Sequence, residues 1–91
     1  LGCGLVLGAS AQEIEIFDQQ GNYSWGEVDR RGNIDIYDSD GNHSWGEIDR
    51  RGNVELFDQD GNYFFGDVDR EGNIEVFDQD GNYYYGDVDP R

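Results

Sequence analysis

The chain has 91 residues, with 21 acidic against six basic side chains, every basic one an arginine, and a formal net charge of −15. A chain this short forms one domain with a small core, and so negative a surface repels nucleic acid and anionic membranes, which excludes functions built on basic patches. It suits divalent cations or a basic partner, and 14% aromatic content with strict periodicity argues against the disorder that high charge otherwise brings.

Residues 1–12, LGCGLVLGASAQ, stand apart from the rest of the chain. An apolar run ending in Ala9-Ser10-Ala11 has the form of the back half of a secretory signal peptide, which places the protein outside the cell or at the cell surface. If retained, the run is a small-residue assembly strand able to add to the sheet edge of another subunit. Cys3 is the only cysteine, so no internal disulfide forms and a plain buried thiol is expected. No stretch reaches the length of a transmembrane span.

The β-repeat domain, 13–91, divides into four units, 13–33, 34–53, 54–73 and 74–91. Gly-Asn pairs recur with spacings of eleven and nine, so the period is 20 residues, the mark of a repeat architecture in which each unit buries its apolar surface against neighbours. Between the pairs the residues alternate, as in Ile14-Glu15-Ile16-Phe17 and Tyr23-Ser24-Trp25-Gly26-Glu27-Val28. That alternation, with its β-branched and aromatic enrichment, is strand patterning. Asp-x-x-Gly suits a three-residue hairpin loop capped by the Asp side chain and ended by a left-handed glycine. The turn glycines are Gly21, Gly32, Gly41, Gly52, Gly61, Gly72 and Gly81.

Such loops set Ile16 opposite Ser24, Ile14 opposite Gly26, Val28 opposite Ile34 and Gly26 opposite Ile36, a register that keeps one face consistent through both loop types. That face is aliphatic: Ile14, Ile16, Val28, Ile34, Ile36, Ile48, Val54, Leu56, Val68, Ile74, Val76 and Val88, with a row of Gly26, Gly46, Gly66 and Gly86. The other alternates aromatics, Phe17, Tyr23 and Trp25 among them, with acids such as Glu15, Glu27 and Asp35. Pairing advances 22 positions per hairpin against a repeat of 20, a slip that reaches a shear of about eight over eight strands. The expected fold is all-β: an eight-stranded antiparallel meander, either a coiled sheet or barrel-like. A β-solenoid stacking Ile14 over Ile34 is the alternative, disfavoured because its acids would stack in register.

Tyr37-Asp38-Ser39-Asp40-Gly41-Asn42 resembles the core of YD repeats, the β-hairpin units of Rhs-type and wall-associated bacterial surface proteins, and all four units share it. Strand-turn-strand units with Gly-Asn turns are also similar to curli-type amyloid subunits. Both resemblances imply an extracellular, self-associating or scaffold role without catalytic residues.

Read from the residues alone, the acids of the first turn type, Asp38 with Asp40, Asp58 with Asp60 and Asp78 with Asp80, could bridge calcium weakly, although Gly falls at the fourth position and not where an EF-hand needs it. No cofactor is required. The two turn types differ in charge. The first holds those six acids and Asp18, while Arg30, Arg31, Arg50, Arg51 and Arg70 lie in the second, giving two charged rims for rim-to-rim association or for local neutralisation of Asp29 and its equivalents. The aromatic face could stack a glycan, or serve only cross-strand pairing as in Phe17–Tyr23. Asn22-Tyr23-Ser24 and Asn42-His43-Ser44 match the glycosylation sequon. His43 is the single histidine, no nucleophile–base set can be assembled, and no enzyme is expected.

The functional expectation is an extracellular structural protein that self-assembles as a homopolymer, a filament or matrix, through the aliphatic face and the free edges near Ile14 and Val88. The alternative is a secreted monomeric binding module for glycan or calcium.

Overall fold

The computed structural model describes residues 12–89, which form eight antiparallel strands: β1 (Gln12–Asp18), β2 (Tyr23–Val28), β3 (Asn33–Asp38), β4 (His43–Ile48), β5 (Asn53–Asp58), β6 (Tyr63–Val68), β7 (Asn73–Asp78) and β8 (Tyr83–Val88). Each pairs with the next, and β8 pairs back onto β1, so the meander closes into an up-and-down barrel. The expectations for the signal-like segment and Cys3 lie outside the described residues. Gln12, grouped with that segment by composition, opens β1.

The turns follow from the Asp-x-x-Gly-Asn word. In the first, the Asp18 amide donates to the Asn22 carbonyl at 3.0 Å and the Gly21 amide to the Asp18 carbonyl at 3.1 Å. Gly21 takes φ 89°, a left-handed conformation that costs glycine little. Asp18 Oδ1 accepts from the Gln20 and Asn22 amides, both at 2.8 Å, and Oδ2 accepts from the Asn22 side chain at 2.8 Å. The asparagine after the glycine is therefore the second half of the cap. The same net recurs at Asp29, Asp38, Asp49, Asp58, Asp69 and Asp78.

These three-residue loops fix the register read from the sequence: Ile16 pairs Ser24, Ile14 pairs Gly26, Val28 pairs Ile34 and Gly26 pairs Ile36. The solenoid alternative is thereby corrected, because Ile14 lies between Gly26 and Val88 and is not stacked over Ile34. Opposed acids do not by themselves separate the two folds. They meet across strands in the barrel too, as Glu27 faces Asp35 and Glu47 faces Glu55.

Closure makes the seam equivalent to the internal joints. Gly86 pairs Ile16 just as Gly26 pairs Ile36, Gly46 pairs Leu56 and Gly66 pairs Val76, so the accumulated slip returns β8 onto β1 in register. Among the described residues no loop spans this seam. The Asp89 amide donates to the Glu13 carbonyl at 2.8 Å, standing in for the Asp29–Asn33 bond of 2.9 Å, and Gln12 Nε2 donates to the Asp89 carbonyl at 2.7 Å. The free edges expected near Ile14 and Val88 are therefore absent: the two residues pair with each other.

All twelve aliphatic positions belong to the barrel interior. Ten are buried, and Ile48 and Val68 are half-buried against them. Each fully buried side chain contributes about 1.5–3 kcal/mol. The glycine row lets so narrow a barrel bend. A Cβ on Gly26 would sit 1.8 Å from the Asp35 carbonyl oxygen of the next strand, and Gly46, Gly66 and Gly86 meet their neighbours in the same way.

Candidate functional site

Up-and-down topology gathers the four first-type turns at one end and the three second-type turns at the other. At the first end the interior strand pattern finishes in two layers. Asp18, Asp38, Asp58 and Asp78 form the outermost; beneath them lie Ser24, Ser44, Phe64 and Tyr84, which pair Ile16, Ile36, Leu56 and Val76. Here the fourfold pattern breaks. The Phe64 and Tyr84 rings meet edge to face at 5.3 Å and plug one half of the mouth, while the two serines leave the other half open. The result is a cavity of about 310 Å³ lined by Ser24, Ser44, Phe64, Tyr84 and the acids of the rim.

The rim is tied unevenly. Gln59 Oε1 accepts from the His43 amide at 2.9 Å and Gln79 Oε1 accepts from the Tyr63 amide at 3.1 Å, linking the second turn to the third and the third to the fourth. Ser39 holds the equivalent position in the second turn, with a side chain too short for that reach. The two tied joints lie next to Ser44 and Phe64, the residues that follow His43 and Tyr63, so each half of the mouth has one.

Electrostatics at this end are set by the caps. Burial raises the Asp18, Asp38, Asp58 and Asp78 carboxyls, but their bonds from Asn22, Asn42, Asn62 and Asn82 and from turn amides outweigh it and leave all four below the usual carboxylate range. They stay charged at neutral pH. Tyr84 donates to Asp78 Oδ2 at 3.0 Å, and burial, followed by that bond and the nearby charge, pushes its hydroxyl up to about 12. The mouth is an anionic opening with one aromatic wall.

The acids considered as calcium sites fall on this rim. Asp38, Asp58 and Asp78 spend both carboxylate oxygens on capping, and Asp40, Asp60 and Asp80 lie exposed two residues further on, donating their amides to the caps. Among the described residues no three His, Cys, Asp or Glu side chains gather as a metal-holding group.

The opposite end carries Arg30, Arg31, Arg50, Arg51 and Arg70, all exposed. It forms a wider, shallower depression of about 680 Å³ floored by Val28, Ile48, Val68 and Val88. Asp29 is held below the usual range first by the Asn33 amide and side chain, with Arg31 adding its charge last, so neutralisation by arginine is the smaller part of the stabilisation there.

The outer wall is banded. Toward the acidic end runs a belt of paired rings: Phe17–Tyr23 at 5.1 Å, Tyr37–His43 at 4.6 Å, Phe57–Tyr63 at 5.2 Å and Phe77–Tyr83 at 5.3 Å, joined through Trp25, Trp45, Phe65 and Tyr85. His43 also meets Asp35 at 3.0 Å. Its place in the belt is that of Tyr23, Tyr63 and Tyr83. Asn22 and Asn42, the sequon positions, are exposed on the turns.

Phe64 and Tyr84 carry no motif or compositional signal that marks them out. The register rule that sets Ile16 opposite Ser24 places them inside, opposite Leu56 and Val76, once the four units are aligned.

The fold and its mouth define an eight-stranded up-and-down β-barrel built from a fourfold hairpin repeat. No family model and no curated protein matches the chain. Among solved structures it is similar to a de novo designed fluorescence-activating beta barrel, with 20% identity and a TM-score of 0.58 over 90% of this chain and 92% of that one. At that identity the likeness concerns the fold, and it bears on neither repeat family that the turn motif resembles. Among the described residues no helix is long and apolar enough to cross a membrane.

Proposed function

We propose that this chain is a binding module, a closed monomeric barrel that takes a small organic cation into the half-open mouth at its acidic end. The observation that carries this reading is the break in the repeat at one interior layer, where Ser24 and Ser44 face Phe64 and Tyr84 around a cavity of about 310 Å³. A purely architectural repeat has no need for that difference at an accessible mouth. The charged rim raises the local concentration of cations, and the Phe64 and Tyr84 rings offer an apolar wall to the body of such a ligand. A bulky cation suits the site better than calcium, since the capping carboxylates already spend their oxygens on turn amides. A role outside the cell, expected from residues 1–12, belongs to the same proposal.

The test is a thermal-shift and calorimetric panel of benzamidine, tetramethylammonium and spermidine against neutral and anionic analogues. Cations are expected to bind and stabilise, and Ser24→Leu with Ser44→Leu, which fills the cavity, is expected to abolish binding while the fold stays intact. Binding that is unchanged in the filled variant, or absent with every cation, would sink the reading.

A second reading, self-assembly into an extracellular filament or matrix, has one observation in its favour. Eight large aromatics are each about 40% exposed around the wall, among them Trp25, Tyr37, Trp45 and Phe65. With both edges paired and the aliphatic face inside, assembly would run through these rings. Electron microscopy and sedimentation of the purified chain separate the two: polymers at low concentration favour assembly, and one small species favours the binding module.

A further inference from the structure

The outer wall carries a pattern that the mouth does not explain. On the side of the barrel formed by the first two repeats and the first strand of the third, the wall dips where the strands bend at Gly26 and Gly46, leaving open grooves of about 630 and 380 Å³. Trp25 with Tyr37 lies along the first groove and Trp45 with Phe57 along the second, and these rings are among the most exposed large apolar side chains of the described residues. One rung away, carboxylates face carboxylates across the strands: Glu27 is flanked by Glu13 and Asp35, and Glu47 faces Glu55. Like charges directly opposite each other weaken a sheet, and the arginines of the adjoining second turns, among the described residues, form no ion pair with these carboxylates. The fold thus keeps an unfavourable arrangement beside exposed tryptophans.

We infer that this tryptophan half of the wall is a docking surface for an arginine-rich segment of a partner protein. A guanidinium laid on Trp25 or Trp45 gains ring stacking, and its planar donors reach the carboxylates of the neighbouring rung, which a lysine ammonium satisfies less well. Charge complementarity selects this occupant. Wall against wall, a second copy of the chain brings the same rows of acids and a charge of −15, so that packing is repelled. A neutral glycan could use the rings but would leave the opposed carboxylates without a counter-charge. The third and fourth repeats replace both tryptophans by Phe65 and Tyr85, so one half of the wall is the stronger cation–π surface.

Both tryptophans of the chain lie in the proposed surface, so its occupancy reads out directly in fluorescence. The experiment titrates the intact chain with nonaarginine, nonalysine and a neutral oligosaccharide at physiological salt. The expected result is a saturating change in tryptophan emission with nonaarginine, at about tenfold lower concentration than with nonalysine. Trp25→Thr with Trp45→Thr is expected to weaken nonaarginine binding about tenfold by calorimetry at unchanged net charge, with circular dichroism confirming the fold. A charge-matched pair keeps the test sound if that variant unfolds. Glu27→Gln with Glu47→Gln should weaken binding clearly more than Asp40→Asn with Asp60→Asn, which removes the same charge at the rim. Equal affinity for the two peptides, equal effects of the two charge pairs, or a tryptophan response to the oligosaccharide alone would each overturn the inference.

Discussion

At the scale of single residues, the fold rests on a cap repeated seven times. Each turn aspartate accepts two backbone amides and one asparagine side chain, which is why the word is Asp-x-x-Gly-Asn and why Arg30 and Arg31 can occupy its middle without changing the turn. Asp58→Ala removes all three bonds at a partly buried position, and a loss of about 1–2 kcal/mol is expected in chemical denaturation. The aspartates also set the acid limit. Their folded pKa values lie below the ordinary 3.8, so the stability they contribute is full above that value and is lost as pH falls through the lower, folded ones. Stability measured by denaturant titration should therefore drop steeply below about pH 4. Tyr84 acts in the opposite sense at high pH. Its folded value of about 12 lies above the ordinary 10, so its contribution is full below pH 10 and is lost between the two. Tyr84→Phe should flatten that alkaline loss, and an unchanged profile would show that the hydroxyl is not held as described.

At the scale of elements, two kinds of glycine behave differently. Gly21 has open space around a would-be Cβ and a left-handed φ, so Gly21→Ala costs only backbone strain, about 1 kcal/mol. Gly26→Ala drives a Cβ into the Asp35 carbonyl of the next strand, and loss of the folded barrel is the expected outcome by circular dichroism. Strand order, register and the inward aliphatic face were legible in the sequence because period and loop length together leave one solution. Ile16 meets Ser24 only if the loop has three residues, and a shift by one would turn Ile14, Ile16 and Val28 outward. Barrel closure was legible only as a possibility. A slip of two residues per hairpin suits a coiled sheet as well as a ring, and what decides is the long-range seam where Gly86 meets Ile16. The mouth was hidden for another reason. Phe64 and Tyr84 read as two more aromatics in an aromatic-rich strand until the register assigns them to the interior.

For the whole molecule, closure turns a sheet with two open edges into an object without any, and with that the expected route to a filament loses its footing. What the closed form retains is a polar charge distribution, acids at one end and arginines at the other, on a chain of net charge −15. Self-repulsion of that size destabilises the compact state and is screened by salt. The melting temperature should therefore rise between about 10 and 500 mM sodium chloride, where the Debye length shrinks from roughly 30 Å to a few ångströms. Closure is the claim on which the mouth, the wall and the loss of free edges all depend. It is tested most directly by nuclear Overhauser contacts between β1 and β8 in the purified chain. Cross-peaks linking Ile16 with Gly86 and Phe17 with Tyr85, in a species that sediments as a monomer, are the expected result. Rapidly exchanging β1 and β8 amides without those contacts would contradict it, and would restore the open-edged sheet and its assembly through strand addition.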